Sequence, residues 1–162
     1  TQPGQALYSF IPAWFKPLAY ALILLRDTGI PCVFYGDYYG ISHDRTAPVP
    51  GLKRLLKVRE RFAYGKEGLF FDDPSVVGFT REGDAEHPDS GAAVLLTDSV
   101  AGSKRMYMGQ QHAGKHMMDI MGEIPETVTV GSDGWAEFRV GGGSVSVWLF
   151  ENAAADIYIE EM

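Results

Sequence analysis

Apolar side chains occupy nearly every face of the segment from Trp14 to Thr28, which predicts a helix that is buried or packed against a large neighbour. Pro17 falls near the start of this helix, where its missing N–H costs little. Gly29 suits the position after the last turn, and Pro31 prevents the helix from continuing. The pattern therefore predicts one helix that ends in a tight Gly-Pro corner.

The run from Cys32 to Tyr35 is apolar at consecutive positions and rich in β-forming residues. A short apolar run without alternation is typical of a parallel strand that is covered on both faces. A helix followed by such a strand is half of a repeating β/α architecture. Because one such unit cannot bury its own surfaces, we expect the chain to be incomplete and to associate through exposed apolar faces when alone.

The loop from Asp37 to Pro50 follows the predicted strand and is rich in tyrosine, charge, glycine and proline. In β/α folds, the loop after the carboxyl end of a strand carries ligand contacts. His43, Asp44 and Arg45 fit a solvated loop and polar contacts to a neutral, hydroxyl-rich substrate equally well. Asp37 is compatible with a local cap or salt bridge and with a position that faces a site.

A second helix is predicted from Leu52 to Tyr64, and Gly65 stops it. Beyond it, short β-type runs recur at roughly ten-residue spacing, which is typical of an antiparallel sandwich or barrel. The run from Trp135 to Val140 alternates cleanly, and Gly141 to Gly143 is predicted to be a hairpin connection. The other runs are Leu69–Phe71, Val76–Glu82, Ala92–Asp98, Lys104–Gly109, Val128–Val130 and Ser144–Phe150.

The chain therefore divides into three predicted parts: residues 1–64, a β domain over 65–150, and an acidic tail over 151–162. The tail contains one apolar patch, Ile157 to Ile159, and is predicted either to pair as an extra strand or to be loose. Trp135 and Trp148 lie in alternating strands and are expected in the core. Exposed aromatic residues in a row would instead favour ligand binding.

Composition and net charge limit the classes of partner that this chain is expected to bind. Of its 162 residues, 46% are hydrophobic, enough for a packed core, and the net charge of −7 argues against nucleic acid and anionic membrane surfaces. The longest apolar run, around Leu18 to Leu25, is too short to span a bilayer. Cys32 is the single cysteine, so no disulfide forms within the chain, and it is expected to be buried.

Motifs that identify a chemistry by themselves are absent from the sequence. It contains no nucleophile elbow, phosphate loop, CxxC or HExxH motif. His112 and His116 have a spacing that would suit a metal on a helix, but Gly114 between them indicates a turn, so we do not expect a metal pair. Paired carboxylates for glycoside chemistry are not assignable from these residues alone.

Several longer stretches resemble one family closely. They are TQPGQ (residues 1–5), WFKPLAYALILLRDTGIPCVFYGD (14–37), RFAYG (61–65), VVGFTREGD (76–84), KRMYMG (104–109) and GWAEFRVGGGSVSVWLFE (134–151). Together they resemble the C-terminal portion of bacterial α-amylases of the liquefying, Bacillus-like type, including the cytoplasmic relatives. The resemblance covers residues 1 to about 151 and is specific at each motif.

This resemblance implies a retaining endo-hydrolase of α-1,4-glucans such as starch and glycogen. Its catalytic domain is a (β/α)₈ TIM barrel, followed by an antiparallel Greek-key β-sandwich domain. By the resemblance, Trp14 to Thr28 is barrel helix seven, Cys32 to Gly36 strand eight, and Leu52 to Tyr64 helix eight. Residues 65–150 would form the C-terminal β domain.

The resemblance also implies that this chain lacks the catalytic carboxylates. In the family, an Asn-His-Asp motif directly precedes the stretch that matches Thr1 to Gln5, and the nucleophile Asp and acid/base Glu lie on earlier strands. Retaining glycosidases need two carboxyl groups roughly 5 Å apart, so the chain alone should be inactive. It would supply the wall of the substrate site. The implied substrate-binding residues are Gln2, Gln5, Asp37, Tyr38, His43, Asp44 and Arg45.

One departure from the family concerns calcium. Secreted relatives hold a Ca²⁺ ion between barrel and C-terminal domain with a His-Asp pair and a later Asp. Here the later acid remains as Asp98, but Pro74 and Ser75 replace the pair. Ca²⁺ needs several oxygen ligands, so it is possible in the full-length enzyme but not expected to be bound firmly by this chain. This departure favours a cytoplasmic over a secreted protein.

Two other functions remain open at this point. The β domain could act alone as a carbohydrate-binding or structural module, with the helical segment as an adapted dock. A different enzyme of the same superfamily, such as a transglycosylase, is a further alternative. The expected partners are an α-glucan and the remainder of the amylase barrel, with no nucleic acid and no membrane.

Overall fold

The structure is a computed structural model that describes residues 11–159. Its helices begin with a short 3₁₀ turn at Ala13–Phe15. The α-helices are α1 (Lys16–Leu25), α2 (Tyr35–Tyr39), α3 (Leu52–Arg61) and α4 (Glu151–Ile159). Further 3₁₀ turns lie at Ser42–Asp44 and Gln110–His112.

Eight strands form two antiparallel sheets within the described residues. They are β1 (Glu67–Phe70), β2 (Val77–Arg81), β3 (Ala92–Leu96), β4 (Gly102–Tyr107), β5 (His116–Asp119), β6 (Val128–Thr129), β7 (Trp135–Val140) and β8 (Val145–Phe150). The larger sheet has the order β1-β2-β3-β8-β5-β6, and β4 pairs with β7 in the smaller sheet. The expectation of a mostly antiparallel β domain is confirmed.

The central pair of strands, β3 and β8, is buried on both faces. Along β3, Val94 packs into a cluster with the helices, whereas Ala93 and Leu95 pack into a second cluster with the smaller sheet. In β8, Val147 joins the first cluster opposite Val94, and Trp148 joins the second opposite Ala93. Successive side chains of a strand point to opposite faces, so this register supplies both cores at once.

The helices cover one face of the larger sheet. Leu24 of α1, Leu55 of α3 and Ile157 of α4 are fully buried in the same cluster as the sheet residues. Burying one such side chain stabilises the fold by about 1.5 to 3 kcal/mol relative to exposure. Helices α1 and α3, which precede the β domain, therefore share one core with it.

The carboxyl end of α1 is held by arginine side chains. The guanidinium of Arg59 donates to the carbonyl oxygen of Leu24 at 2.5 Å, and Arg81 donates to that of Leu25 at 3.3 Å. These carbonyls have no partner within the helix, and cations near a helix C-terminus also complement its dipole. The contacts explain why α1 ends at Leu25, three residues before the predicted end at Thr28.

The predicted strand from Cys32 to Tyr35 is wrong for this structure. Cys32 to Phe34 form no strand, and Tyr35–Tyr39 form the short helix α2. A parallel strand needs neighbours for its backbone groups on both sides, and the described residues provide none. Cys32 is accordingly exposed rather than buried. No strand of a barrel is thus present among residues 11–159.

Two other expectations need correction. Gly141 to Gly143 do not close a hairpin, because β7 and β8 lie in different sheets and the segment links them. The tail is neither a strand nor loose up to Ile159, since it forms α4. Ala153, Ala154 and Ile157 are buried at helical spacing and cover the edge of the core.

Candidate functional site

Asp37 lies in α2 and is only 8% exposed. One of its carboxylate oxygens accepts from Lys16 Nζ at 2.5 Å and the other from the Tyr20 hydroxyl at 2.7 Å. Burial, with the hydrogen bond to Asp37, raises the pKa of Tyr20 to about 12, so its hydroxyl remains a donor. The Tyr20 oxygen also accepts the Phe34 N–H at 3.3 Å. Asp37 therefore ties α2 to α1.

The other predicted site residues lie apart from this network. The side chains of His43 and Asp44 pair at 3.1 Å but are 80% and 53% exposed. Arg45 is also exposed and has a left-handed backbone, with φ 55°, where the chain turns back. Gln2 and Gln5 lie outside the described residues. The structure thus places these three loop side chains in solvent and does not bring them into contact with Asp37.

Tyr38 lines an open cleft of about 530 Å³ between the helices and the β domain. The Nζ of Lys53 lies 5.4 Å from the centre of the Tyr38 ring, in cation–π geometry. Trp14, which is 52% exposed, contributes an indole ring to the lining. Glu123 lines the cleft from the loop after β5. The cleft combines aromatic surface with the cations of Lys53 and Arg54 and the carboxylate of Glu123.

The position of Gly51 shapes this cleft. Gly51 precedes α3 with φ 73°, and a Cβ atom there would lie 2.4 Å from Met121 Cε. Only glycine adopts this backbone readily and leaves room for the methionine. The beginning of α3 is thereby held against the β domain. Sequence patterns could not have shown the cleft, because its walls come from separate segments.

The residues implied for calcium do not form a site with several ligands. Val77 pairs with Leu96, so Ser75 and Asp98 lie at the same end of the β2–β3 pair. The Ser75 N–H donates to the side-chain carboxylate of Asp73 at 2.8 Å. Within residues 11–159, no group of three or more His, Cys, Asp or Glu side chains is placed to hold a metal ion.

His112 and His116, which are four residues apart in the sequence, make separate contacts. His112 Nε2 lies 2.6 Å from the Glu82 carbonyl oxygen, and its ring packs on Phe150. His116 is on β5 and contacts the Thr129 hydroxyl at 2.8 Å. They are therefore not on one helix. In the described part of the chain, no helix is long and apolar enough to span a membrane.

Comparisons with known proteins agree on one family. Residues 93–149 match the family model described as Alpha-amylase C-terminal. The chain is 54% identical over 153 residues to an α-amylase of Geobacillus stearothermophilus, covering 92% of this chain and 27% of that protein. It is 41% identical over 162 residues to the cytoplasmic α-amylase of Escherichia coli, covering 93% of this chain and 32% of that protein.

Solved structures show the same fold at low sequence identity. An α-amylase from Malbranchea cinnamomea matches 85% of this chain and 33% of its own, with TM-score 0.59 and 15% identity. An α-amylase from Geobacillus thermoleovorans, complexed with acarbose, matches 87% of this chain and 34% of its own, with TM-score 0.58 and 16% identity. The chain spans about a third or less of the length of the relatives that it matches.

Proposed function

We propose that this chain, which belongs with the C-terminal portions of the bacterial α-amylases, is part of an enzyme that hydrolyses α-1,4-glucosidic bonds in starch or glycogen-type glucans with retention. The observation that carries the proposal is 54% identity over 153 residues to one such amylase. Similarity of this extent runs through both the helical segment and the β domain. The chain alone would be non-catalytic, because the resemblance assigns the catalytic carboxylates to barrel strands that it lacks.

In the longer protein, residues 1–64 would belong to the closing segment of the (β/α)₈ barrel, and residues 65–150 to a Greek-key β sandwich. Exposed apolar side chains support this arrangement. Ile30 is 99% exposed, and Ile23, Phe34 and Tyr35 are exposed on the same stretch of chain. Such a surface marks an interaction site. We assign it to contact with the rest of the barrel.

The substrate contacts are proposed at the rim of that barrel. Gln2, Gln5, Tyr38 and the exposed loop side chains at 43–45 would hydrogen-bond sugar hydroxyls. Asp37 would act there chiefly by holding α2 against α1, given its bonds to Lys16 and Tyr20. Because Pro74 and Ser75 stand where secreted relatives have a His-Asp pair, this chain would not bind Ca²⁺ firmly at Asp98. A cytoplasmic location goes with this reading.

The role of the β domain would be structural in the first place. Its larger sheet buries one face of α1 and α3, including Leu24 and Leu55. Removing the domain would expose that face to water. A purely non-catalytic carbohydrate-binding or structural module remains the alternative function, and the shared core of helices and sheet is the observation that favours it.

An assay of starch hydrolysis on the 162-residue chain and on a reassembled enzyme tests the proposal. The chain alone should release no reducing sugar. Mixed with the separately produced preceding portion of the Geobacillus stearothermophilus α-amylase, it should raise the activity of that portion. Turnover by the chain alone would overturn the claim that it lacks the catalytic groups. A mixture no more active than the preceding portion alone would favour the non-catalytic module.

A further inference from the structure

We infer that the cleft lined by Trp14, Tyr38, Lys53 and Glu123 is a second binding site for an α-glucan oligosaccharide. We call it the interdomain cleft. Trp14 lies in the 3₁₀ turn before α1, Tyr38 and Lys53 lie in α2 and α3, and Glu123 lies in the loop after β5. Of the substrate-binding residues proposed above, Tyr38 is the only described one that lines it. The ligand class rests on the proposed function, whereas the site itself rests on the geometry.

The size of the interdomain cleft fits a short oligosaccharide. Its volume of about 530 Å³ lies inside the range of roughly 300 to 1,000 Å³ that is typical of sites for small organic ligands. The cleft is open rather than enclosed, which suits a segment of a longer chain. Prolines at positions 48 and 50 and the Gly51 turn stiffen one wall.

The chemistry of the lining favours a neutral, hydroxyl-rich ligand. Trp14 presents half of its surface to solvent, and its ring contacts Phe15 edge to face at 5.4 Å between centroids, which leaves a ring face for a sugar. The flat apolar face of a pyranose packs on such a ring much as aromatic rings pack on one another. Lys53 and Arg54 carry positive charge and Glu123 carries negative charge, so an ionic ligand of either sign would meet a like charge in the lining.

The polar groups of the interdomain cleft are available as hydrogen-bond partners. The Glu123 carboxylate has no hydrogen bond or ion pair in the described structure, and Lys53 Nζ contacts only the face of the Tyr38 ring. Arg54 is different, because its guanidinium donates to the Ile120 carbonyl oxygen at 2.9 Å. A free donor and a free acceptor beside an aromatic ring can hold the hydroxyls that the sugar presents at its edge.

Titration of the 162-residue chain with maltohexaose, followed by calorimetry and tryptophan fluorescence, tests this site. The variants are Trp14→Ala and Glu123→Gln, and the matched control is Phe71→Ala, an aromatic side chain of similar exposure outside the cleft. Loss of the ring should weaken binding by about fivefold, since a ring contact contributes about 1 kcal/mol. The control should bind like the parent. Circular dichroism and thermal melts should show all three variants folded as the parent.

Cellohexaose, with the same number of glucose units in β linkage, distinguishes the ligand class. Binding of maltohexaose at least several times tighter than cellohexaose, lost in Trp14→Ala, supports the inference. Absence of maltohexaose binding by the parent overturns it, as does binding that neither cleft variant weakens. Equal affinity for both sugars overturns the assignment to α-glucans. A reassembled enzyme that hydrolyses starch without this binding would refute the second site and leave the proposed function intact.

Discussion

Asp119 is a side chain of the β domain whose two carboxylate oxygens are both hydrogen-bonded. It is buried at the end of β5, and its carboxylate accepts four backbone N–H groups, from Met121, Glu123, Ile124 and Val147, at 2.9 to 3.1 Å. Burial raises the pKa of Asp119, and the four hydrogen bonds act in the opposite direction. One carboxylate thereby fixes the turn after β5 and joins it to β8.

Asp119→Asn should lower the free energy of unfolding by about 3 kcal/mol, because the amide replaces an acceptor oxygen with a donor and leaves buried N–H groups unpaired. Urea denaturation at neutral pH measures the change. Asp98→Asn is the matched control, since Asp98 is exposed at the end of β3 and should change stability by less than about 0.5 kcal/mol. Equal stability of parent and Asp119→Asn would contradict the role assigned to the carboxylate.

His112 should make stability depend on pH. Burial lowers the pKa of His112 below the ordinary value of 6.5, despite its hydrogen bond to Glu82, and nearby Lys115 lowers it further. The unfolded chain therefore binds this proton at a higher pH than the folded chain does. The contribution of neutral His112 to the free energy of unfolding is fully present above pH 6.5. It is lost as the pH falls through 6.5 toward the lower pKa of the folded state.

Urea denaturation of the parent and of His112→Gln between about pH 5 and pH 8 measures this effect. The parent should lose more stability on acidification than the variant. Asp119 contributes a slope of opposite sign, because its pKa is raised, so the difference between the two proteins is the quantity to compare. His43→Gln is the control and should follow the parent. Parallel curves for the parent and His112→Gln would exclude the role of His112.

At the scale of elements, α4 closes the core that the helices share with the larger sheet. Ile157 is fully buried, whereas Ile159 on the same helix is 63% exposed. Ile157→Ala should cost about 2 to 4 kcal/mol of stability through the cavity that it leaves. Ile159→Ala should cost less than about 0.5 kcal/mol. Thermal and urea melts compare the two variants, and similar losses would show that α4 does not pack as described.

Elements with a strong local pattern were predictable from the sequence. Apolar residues on nearly all sides of the segment before Gly29 predicted α1, and the alternation from Trp135 to Val140 predicted β7. The predicted strand at Cys32 failed because a parallel strand depends on neighbours, not on its own residues. The tail was misjudged because the β-branched residues at 157 and 159 outweighed the helical spacing of Ala153, Ala154 and Ile157.

The contacts around the candidate sites were less predictable, because they join segments that are distant along the chain. Two interpretations of Asp37 were open, and only the positions of Lys16 and Tyr20 show that both of its oxygens are engaged. Asp119 carried no sequence signal, because one of its four N–H partners lies on β8, distant along the chain. Side chains that meet from distant segments leave no periodic pattern.

At the scale of the molecule, exposed apolar residues are concentrated before position 40. Ile23, Ile30, Phe34 and Tyr35 are all exposed there. Alone in solution, the chain should therefore associate, and sedimentation velocity should show species larger than the monomer. Ile30→Ser should reduce association, whereas Val100→Ser, at a similarly exposed site on the β domain, should not. A monodisperse parent monomer that melts cooperatively would contradict this expectation.

The central claim is that this chain completes an α-amylase. The most direct measurement is starch hydrolysis by a chimera in which residues 1–162 replace the corresponding C-terminal part of the Geobacillus stearothermophilus α-amylase, to which they are 54% identical. The account predicts release of reducing sugar at a rate within about tenfold of the parent amylase, equivalent to a loss below about 1.4 kcal/mol. A soluble, cooperatively folded chimera that does not hydrolyse starch would contradict it.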